Sequence, residues 1–182
     1  MTELLRLEVL IGSVRPHRFA PVPAEWFTRR AQAYGGFEVG VLDLAEIVLP
    51  VELTETPEAE AFRIRLAAAD AFVAVTSEYN HGYPAALKTA FDSAKYEWRA
   101  KPIAFVSYGG MSGGLRAVEQ LRQVAAELHM VTVRETVSFH QARRQFAPDD
   151  PIAEEAVVRM LGQLAWWAGV LREGRGQSPY PG

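Results

Sequence analysis

Short, continuous apolar runs alternate with longer amphipathic stretches along this chain, and that rhythm is what a parallel sheet covered by helices on both faces requires. Five runs carry it: Leu5 to Ile11, Phe37 to Leu42, Ala71 to Thr76, Ile103 to Ser107 and Met130 to Val133. Between them the pattern predicts helices over Ala24 to Tyr34, Glu58 to Ala69, Pro84 to Tyr96 and Leu115 to Leu128, with a last helix over Ile152 to Leu171. Local signals support several ends. Thr56-Pro57 reads as an N-cap followed by proline at the first helical position, Gly35-Gly36 as a helix stop, and Asp149-Asp150-Pro151 as an acidic helix start. The expected architecture is an α/β three-layer doubly wound sandwich on a five-stranded parallel sheet. Strand order 2-1-3-4-5 would place the first and third strands side by side with crossovers leaving on opposite faces, which opens a crevice at the switch point. Alternation alone permits other doubly wound orders, so the loops have to decide. One domain is expected over residues 1–172, followed by a Gly- and Pro-rich tail over 173–182 that is expected to be mobile.

The bulk properties remove whole classes of function. Nineteen Lys and Arg stand against 22 Asp and Glu, for a formal net charge of -3, so the basic excess needed to hold a phosphate backbone is missing and no nucleic acid partner is expected. Cysteine is absent, which rules out disulfides, thiolate metal sites and a cysteine nucleophile. Redox chemistry would have to come from a bound cofactor, and no metal is expected. The first residues carry no basic segment followed by an apolar one, and no stretch reaches the roughly 20 apolar residues of a membrane span, so a cytoplasmic protein without membrane contact is expected.

The unusual sequences fall immediately after the first, third and fourth runs, on the edge where a doubly wound sheet places its ligands. The first is Gly12-Ser13-Val14-Arg15-Pro16-His17-Arg18. A hydroxyl, two guanidinium groups and amides leading into a helix suit a phosphomonoester. The segment is neither a P-loop nor a GxGxxG fingerprint, and read alone it also fits a solvated Arg-rich turn. The second, Ser77-Glu78-Tyr79-Asn80-His81-Gly82-Tyr83-Pro84, offers aromatic, amide and imidazole groups to a planar ring, or else an ordinary strand-to-helix turn capped by Asn80. His81 has no recognisable orienting partner, so direct chemistry by it is disfavoured. The third, Tyr108-Gly109-Gly110-Met111-Ser112-Gly113-Gly114, comes directly after Ser107 and reads as a backbone wall or a tight turn.

Taken together, Gly12-Ser13-x-Arg15, Glu78-Tyr79-Asn80-His81 with Tyr83-Pro84-Ala85-Ala86-Leu87-Lys88, and the Gly109 to Gly114 loop with Leu115-Arg116-Ala117 resemble the NADPH-dependent FMN reductase family, over about Leu7 to Phe139. The resemblance implies a flavodoxin-like sheet with non-covalent FMN, its phosphate held by Ser13, Arg15 and Arg18 beside Gly12. It implies an isoalloxazine lying against Ser77, Glu78, Tyr79, Asn80 and His81 and against Ser107, Tyr108, Gly109, Gly110 and Gly113. It further implies NADPH or NADH as co-substrate, hydride passing to flavin N5, and electrons then leaving for a small-molecule acceptor such as free flavin or a quinone. No catalytic acid or base is required, because the cofactor does the chemistry.

Three departures stand out. Relatives often have a small polar residue in the phosphate loop where Arg18 and Ala20 stand here. Many relatives have proline where this chain has Ser77, and the segment Ala20-Pro21-Val22-Pro23 is expected to delay the next helix to Pro23 or Ala24, because its prolines remove two backbone donors. A homodimer or homotetramer is expected from the resemblance, with Phe91, Tyr96 and Trp98 as one candidate interface and Trp166-Trp167 as another; core packing explains these aromatics equally well. The competing reading is a flavodoxin-type electron carrier that does not oxidise NAD(P)H. Such carriers are strongly acidic, and this chain is not.

Overall fold

The computed structural model describes residues 4–181. Its elements run β1 (Leu5–Ile11), α1 (Pro21–Tyr34), β2 (Phe37–Asp43), α2 (Pro57–Ala68), β3 (Ala71–Ser77), α3 (Ala85–Asp92), β4 (Pro102–Tyr108), α4 (Leu115–Glu127), β5 (Val131–Phe139), α5 (Ala142–Gln145) and α6 (Pro151–Gln177). The five strands form one all-parallel sheet in the order β2-β1-β3-β4-β5. This is the flavodoxin-like doubly wound sandwich that the sequence predicts.

Period-two alternation divides the core. Leu7, Val9 and Ile11 of β1, Val73 and Val75 of β3, and Ala104 and Val106 of β4 face the layer made by α1 and α6. Leu10, Phe72, Ala74, Ile103 and Phe105 face the opposite layer, made by α2, α3 and α4. Every residue of β3 and β4 is buried, as expected for central strands covered on both sides. That is why their sequences show no polar alternation.

Four departures from the sequence reading have physical causes. Helix α1 begins at Pro21, earlier than expected. Both prolines lie in the first turn, where N–H groups have no intrahelical acceptor, so their missing donors cost nothing. Helix α3 ends at Asp92, short of the expected Tyr96. The chain beyond it turns back so that Trp98 is fully buried against Phe72 and Phe91, at ring distances of 4.7 and 5.2 Å, and its indole N–H donates to the Phe91 carbonyl. Phe91 and Trp98 are therefore core residues, and of that aromatic trio Tyr96 alone is exposed. Strand β5 continues to Phe139, six residues past the expected Val133, with a bulge where Ile103 pairs with Thr132 but Phe105 with Thr136. Helix α6 runs to Gln177, into the segment expected as a tail, and Arg175 there donates to the Ala100 carbonyl and to Asp70.

No described helix is long and apolar enough to cross a membrane.

Candidate active site

The carboxyl ends of β1, β3, β4 and β5 open onto one cleft of about 440 Å3, within the size range of small-molecule sites. Eight of the residues predicted from the sequence line it: Arg15, Arg18, Ser77, Glu78, Tyr79, Tyr108, Gly109 and Gly110. Six others, namely Gly12, Ser13, Asn80, His81, Ser107 and Gly113, stand around it without lining it.

The first loop leaves β1 with the Gly12 N–H donating to the Val75 carbonyl at 2.9 Å, and a side chain at Gly12 would press on Leu87. Ser13 is fully buried, and its hydroxyl is 2.6 Å from the Tyr79 hydroxyl. Tyr79, half-buried, carries that polar contact to the cleft. The Arg15 guanidinium lies over the Tyr79 ring, 5.3 Å from its centre. Arg18 is ion-paired with Asp43, while its Nε is buried without a partner.

The second loop is built as a tight turn. Tyr79 and Gly82 exchange backbone hydrogen bonds of 2.8 and 3.0 Å around Asn80 and His81, both at positive φ (51° and 72°), the signature of a type I′ turn. Asn80 is suited to that backbone, since its short polar side chain tolerates the left-handed region. Both corner residues are exposed, and the His81 ring meets Arg116 outside the cleft. Glu78 lines the cleft, but its carboxylate is engaged by protein groups. One carboxylate oxygen accepts from the Ser112 hydroxyl at 2.6 Å and from the Arg116 amide at 3.2 Å, and the other is 2.8 Å from Arg116 Nε, an ion pair whose angle falls short of a hydrogen bond. Glu78 thus caps the N-terminus of α4 from the neighbouring loop and fixes the second loop to the third.

In the third loop Gly113 lies under the surface, its carbonyl accepting from the Ser107 and Ser138 hydroxyls at 2.8 Å each. Ser107 and Gly113 therefore shape the wall from behind. Gly109 and Gly110 present backbone to the cleft, and their carbonyls accept the Ala142 and Gln141 amides at 3.0 and 2.8 Å. Burial raises the Tyr108 hydroxyl above the usual tyrosine range, with the Ser77 and Ser13 hydroxyls acting in the opposite direction; it has no partner at hydrogen-bonding geometry. The Ser77 hydroxyl is likewise buried and unpartnered.

The remaining wall lies beyond the sequence expectation. Phe19, whose ring is 5.7 Å from that of Tyr108, and Gln141, Ala142, Arg143 and Arg144 of the α5 turn also line the cleft. A fifth strand ending at Val133 would leave the α5 residues outside the sheet edge. The alternation Val137-Ser138-Phe139 is the one signal in the sequence that the strand goes on.

A family model described as NADPH-dependent FMN reductase matches residues 5–144, which includes every residue lining the cleft. The chain belongs to that family. Among its relatives, the NAD(P)H-dependent FMN reductase of Schizosaccharomyces pombe is 36% identical over 138 residues, covering 69% of this chain and 68% of that protein. The enzyme of the same name from Saccharomyces cerevisiae is 30% identical over 183 residues, covering 86% and 95%. The flavoenzyme NAD(P)H:(acceptor) oxidoreductase FerB of Paracoccus denitrificans has a solved structure that aligns over 91% of this chain and 98% of its own, with a TM-score of 0.72 at 20% identity, and so shares the fold.

Proposed function

We propose that this member of the FMN reductase family binds FMN in the cleft and acts as an NAD(P)H-dependent oxidoreductase, delivering electrons to free flavin, a quinone or a similar small acceptor. The observation that carries this reading is the set of buried, unpartnered polar atoms converging there: Arg18 Nε, Ser77 Oγ and Tyr108 OH. Buried polar groups are nearly always paired, and an orphan costs about 1–3 kcal/mol, so orphans on three residues that line the cleft support a polar ligand there. Arg15 and Arg18, with the Ser13–Tyr79 hydroxyl pair, suit the phosphate. Ser77, Tyr108 and the Gly109–Gly110 backbone suit the polar edge of the ring, and Phe19 offers an apolar surface. Glu78, Asn80, His81, Ser107 and Gly113 hold the loops in place around the cleft.

Bound FMN supplies the redox chemistry, accepting hydride from the reduced nicotinamide and returning electrons to the acceptor. The chain's own residues bind, orient and partly exclude water, and no side chain has to act as a general acid or base. A homodimer or homotetramer in the cytoplasm accords with this reading. The exposed apolar residues Val48, Val51 and Leu53 of the loop after β2, and Trp166 on α6, are surfaces available for self-association.

The test is an anaerobic stopped-flow experiment on FMN-loaded protein mixed separately with NADPH and NADH, monitoring the oxidised flavin band near ~450 nm. Rapid bleaching is expected. A bound flavin that neither nucleotide reduces would instead indicate an electron carrier.

A further inference from the structure

The cleft is more basic than one phosphate explains. Arg15, Arg18, Arg143 and Arg144 all line it, and the one carboxylate among its lining residues, Glu78, is already committed to Ser112 and Arg116. Arg18 is offset by Asp43. Arg15 stands on the loop after β1, beside Tyr79. Arg143 reaches across to donate to the His17 carbonyl at 3.2 Å, tying the α5 turn to that first loop. Arg144 lines the cleft with no hydrogen-bond or ion-pair partner among the described residues for its side chain.

The turn that carries Arg144 is held at several points. Gln141 takes a left-handed conformation (φ 46°), the amides of Gln141 and Ala142 donate to Gly110 and Gly109, and Ala142 is buried. Successive helical residues diverge by about 100°, so Arg144 leaves the turn in a different direction from Arg143, which is drawn towards the first loop. A backbone fixed this way lowers the entropy lost when the guanidinium engages a ligand.

We propose that Arg144 is a specificity-determining residue that binds the 2′-phosphate of NADPH and so favours NADPH over NADH. NADPH differs from NADH by that group alone, a phosphomonoester whose oxygens match the paired donors of a guanidinium. The inference rests on the proposed reductase function, since it assigns a nucleotide to the mouth of the same cleft.

The experiment is a calorimetric titration of FMN-loaded protein with adenosine 2′,5′-bisphosphate and with 5′-AMP, which differ by the 2′-phosphate. The wild-type chain is expected to bind the bisphosphate about tenfold or more tightly, the scale of a charge-assisted hydrogen bond. In Arg144→Ala that preference collapses to about unity, and Arg144→Lys keeps part of it through charge alone. In turnover, the NADPH/NADH ratio of kcat/KM falls by the same factor in Arg144→Ala. Arg144 is exposed and unbonded, so neither variant should threaten folding.

Absence of a preference in the wild-type chain overturns the inference, as does its survival in Arg144→Ala. Loss of FMN affinity with nucleotide preference intact also overturns it, because Arg144 would then belong to the FMN phosphate site. None of these affects bleaching of the flavin by NADH in the wild-type chain, so the reductase reading can stand while the inference falls. Conversely, the titration reads binding even if neither nucleotide reduces the flavin.

Discussion

Glu78 separates a structural from a ligand-binding role for the second loop, and replacing it by alanine reads the difference directly. Its carboxylate is the acceptor for the Ser112 hydroxyl and the Arg116 amide and the partner of the Arg116 guanidinium, with the Glu78 side chain 7% and the Arg116 side chain 36% exposed. Loss of the helix cap is worth about 1 kcal/mol, and loss of a buried charged acceptor for the hydroxyl about 1.5–3 kcal/mol. The ion pair is discounted to about 0.5 kcal/mol because Arg116 is partly in solvent. Partial relaxation of the loops leaves an expected destabilisation of about 3 kcal/mol, which lowers Tm by roughly 6–12 °C for a chain of this size. Urea denaturation of the flavin-free protein measures it, and a cycle with Arg116→Ala should show a coupling of only about 0.5 kcal/mol, because the Arg116 amide and the Ser112 hydroxyl still donate to Glu78 in that variant. FMN affinity should fall as well, but only as far as the loops loosen. If Glu78→Ala leaves stability within about 0.5 kcal/mol of wild type while abolishing FMN binding, the carboxylate is a ligand contact and the capping argument is wrong.

Ser77→Ala and Tyr108→Phe each remove a buried hydroxyl that has no partner, so the flavin-free protein should lose no stability, whereas FMN affinity measured by flavin fluorescence should drop about tenfold for each; unchanged affinity in both would remove the main support for the proposed site. Gly113→Ala places a Cβ 2.5 Å from the Ser138 hydroxyl and 2.7 Å from the His140 ring at a φ of +62°, and thermal unfolding should register a loss of about 2 kcal/mol or more, so a neutral result would contradict the packing described behind the third loop. Burial, and after it the charge of Arg175, lower Lys101 from the usual 10.5 to about 8. The unfolded chain then holds the extra proton between those values, so the stability of wild type relative to Lys101→Met should rise from about pH 8 to about pH 10 and be flat below pH 8; a flat difference throughout would refute it.

Much of the fold is legible because each strand of the central sheet is a continuous apolar run ending at a recognisable loop. The first run and the observed β1 coincide, Leu5–Ile11. The cleft lining is legible where chemistry and local sequence coincide, as in Arg15, Arg18 and the Gly109–Gly110 backbone. It is less so where a conspicuous residue serves the backbone: Asn80 and His81 occupy turn corners, and Gly113 accommodates Ser138. The full length of β5 is hidden because Arg134 and Glu135 interrupt its apolar pattern at the bulge, and Gln163 of α6 meets the Glu135 amide there. The end of α3 is hidden because Tyr96 and Trp98 mimic a helical spacing, although burial of the Trp98 indole requires the chain to turn.

Between its pairings with Ile103 and Phe105, β5 carries two residues more than β4. Because strand faces alternate every residue, an even insertion leaves Val133 and Val137 pointing into the same core cluster. The surplus length is taken up within the bulge, because beyond it Thr136 to Phe139 pair evenly with Phe105 to Tyr108. Excising one such pair would restore regular pairing and leave Thr136 to Phe139 on the same β4 partners, so the Gln141–Arg144 turn would stay in place. The bulge is thus a place where β5 can gain or lose residues in pairs without moving either its core face or the α5 turn that lines the cleft.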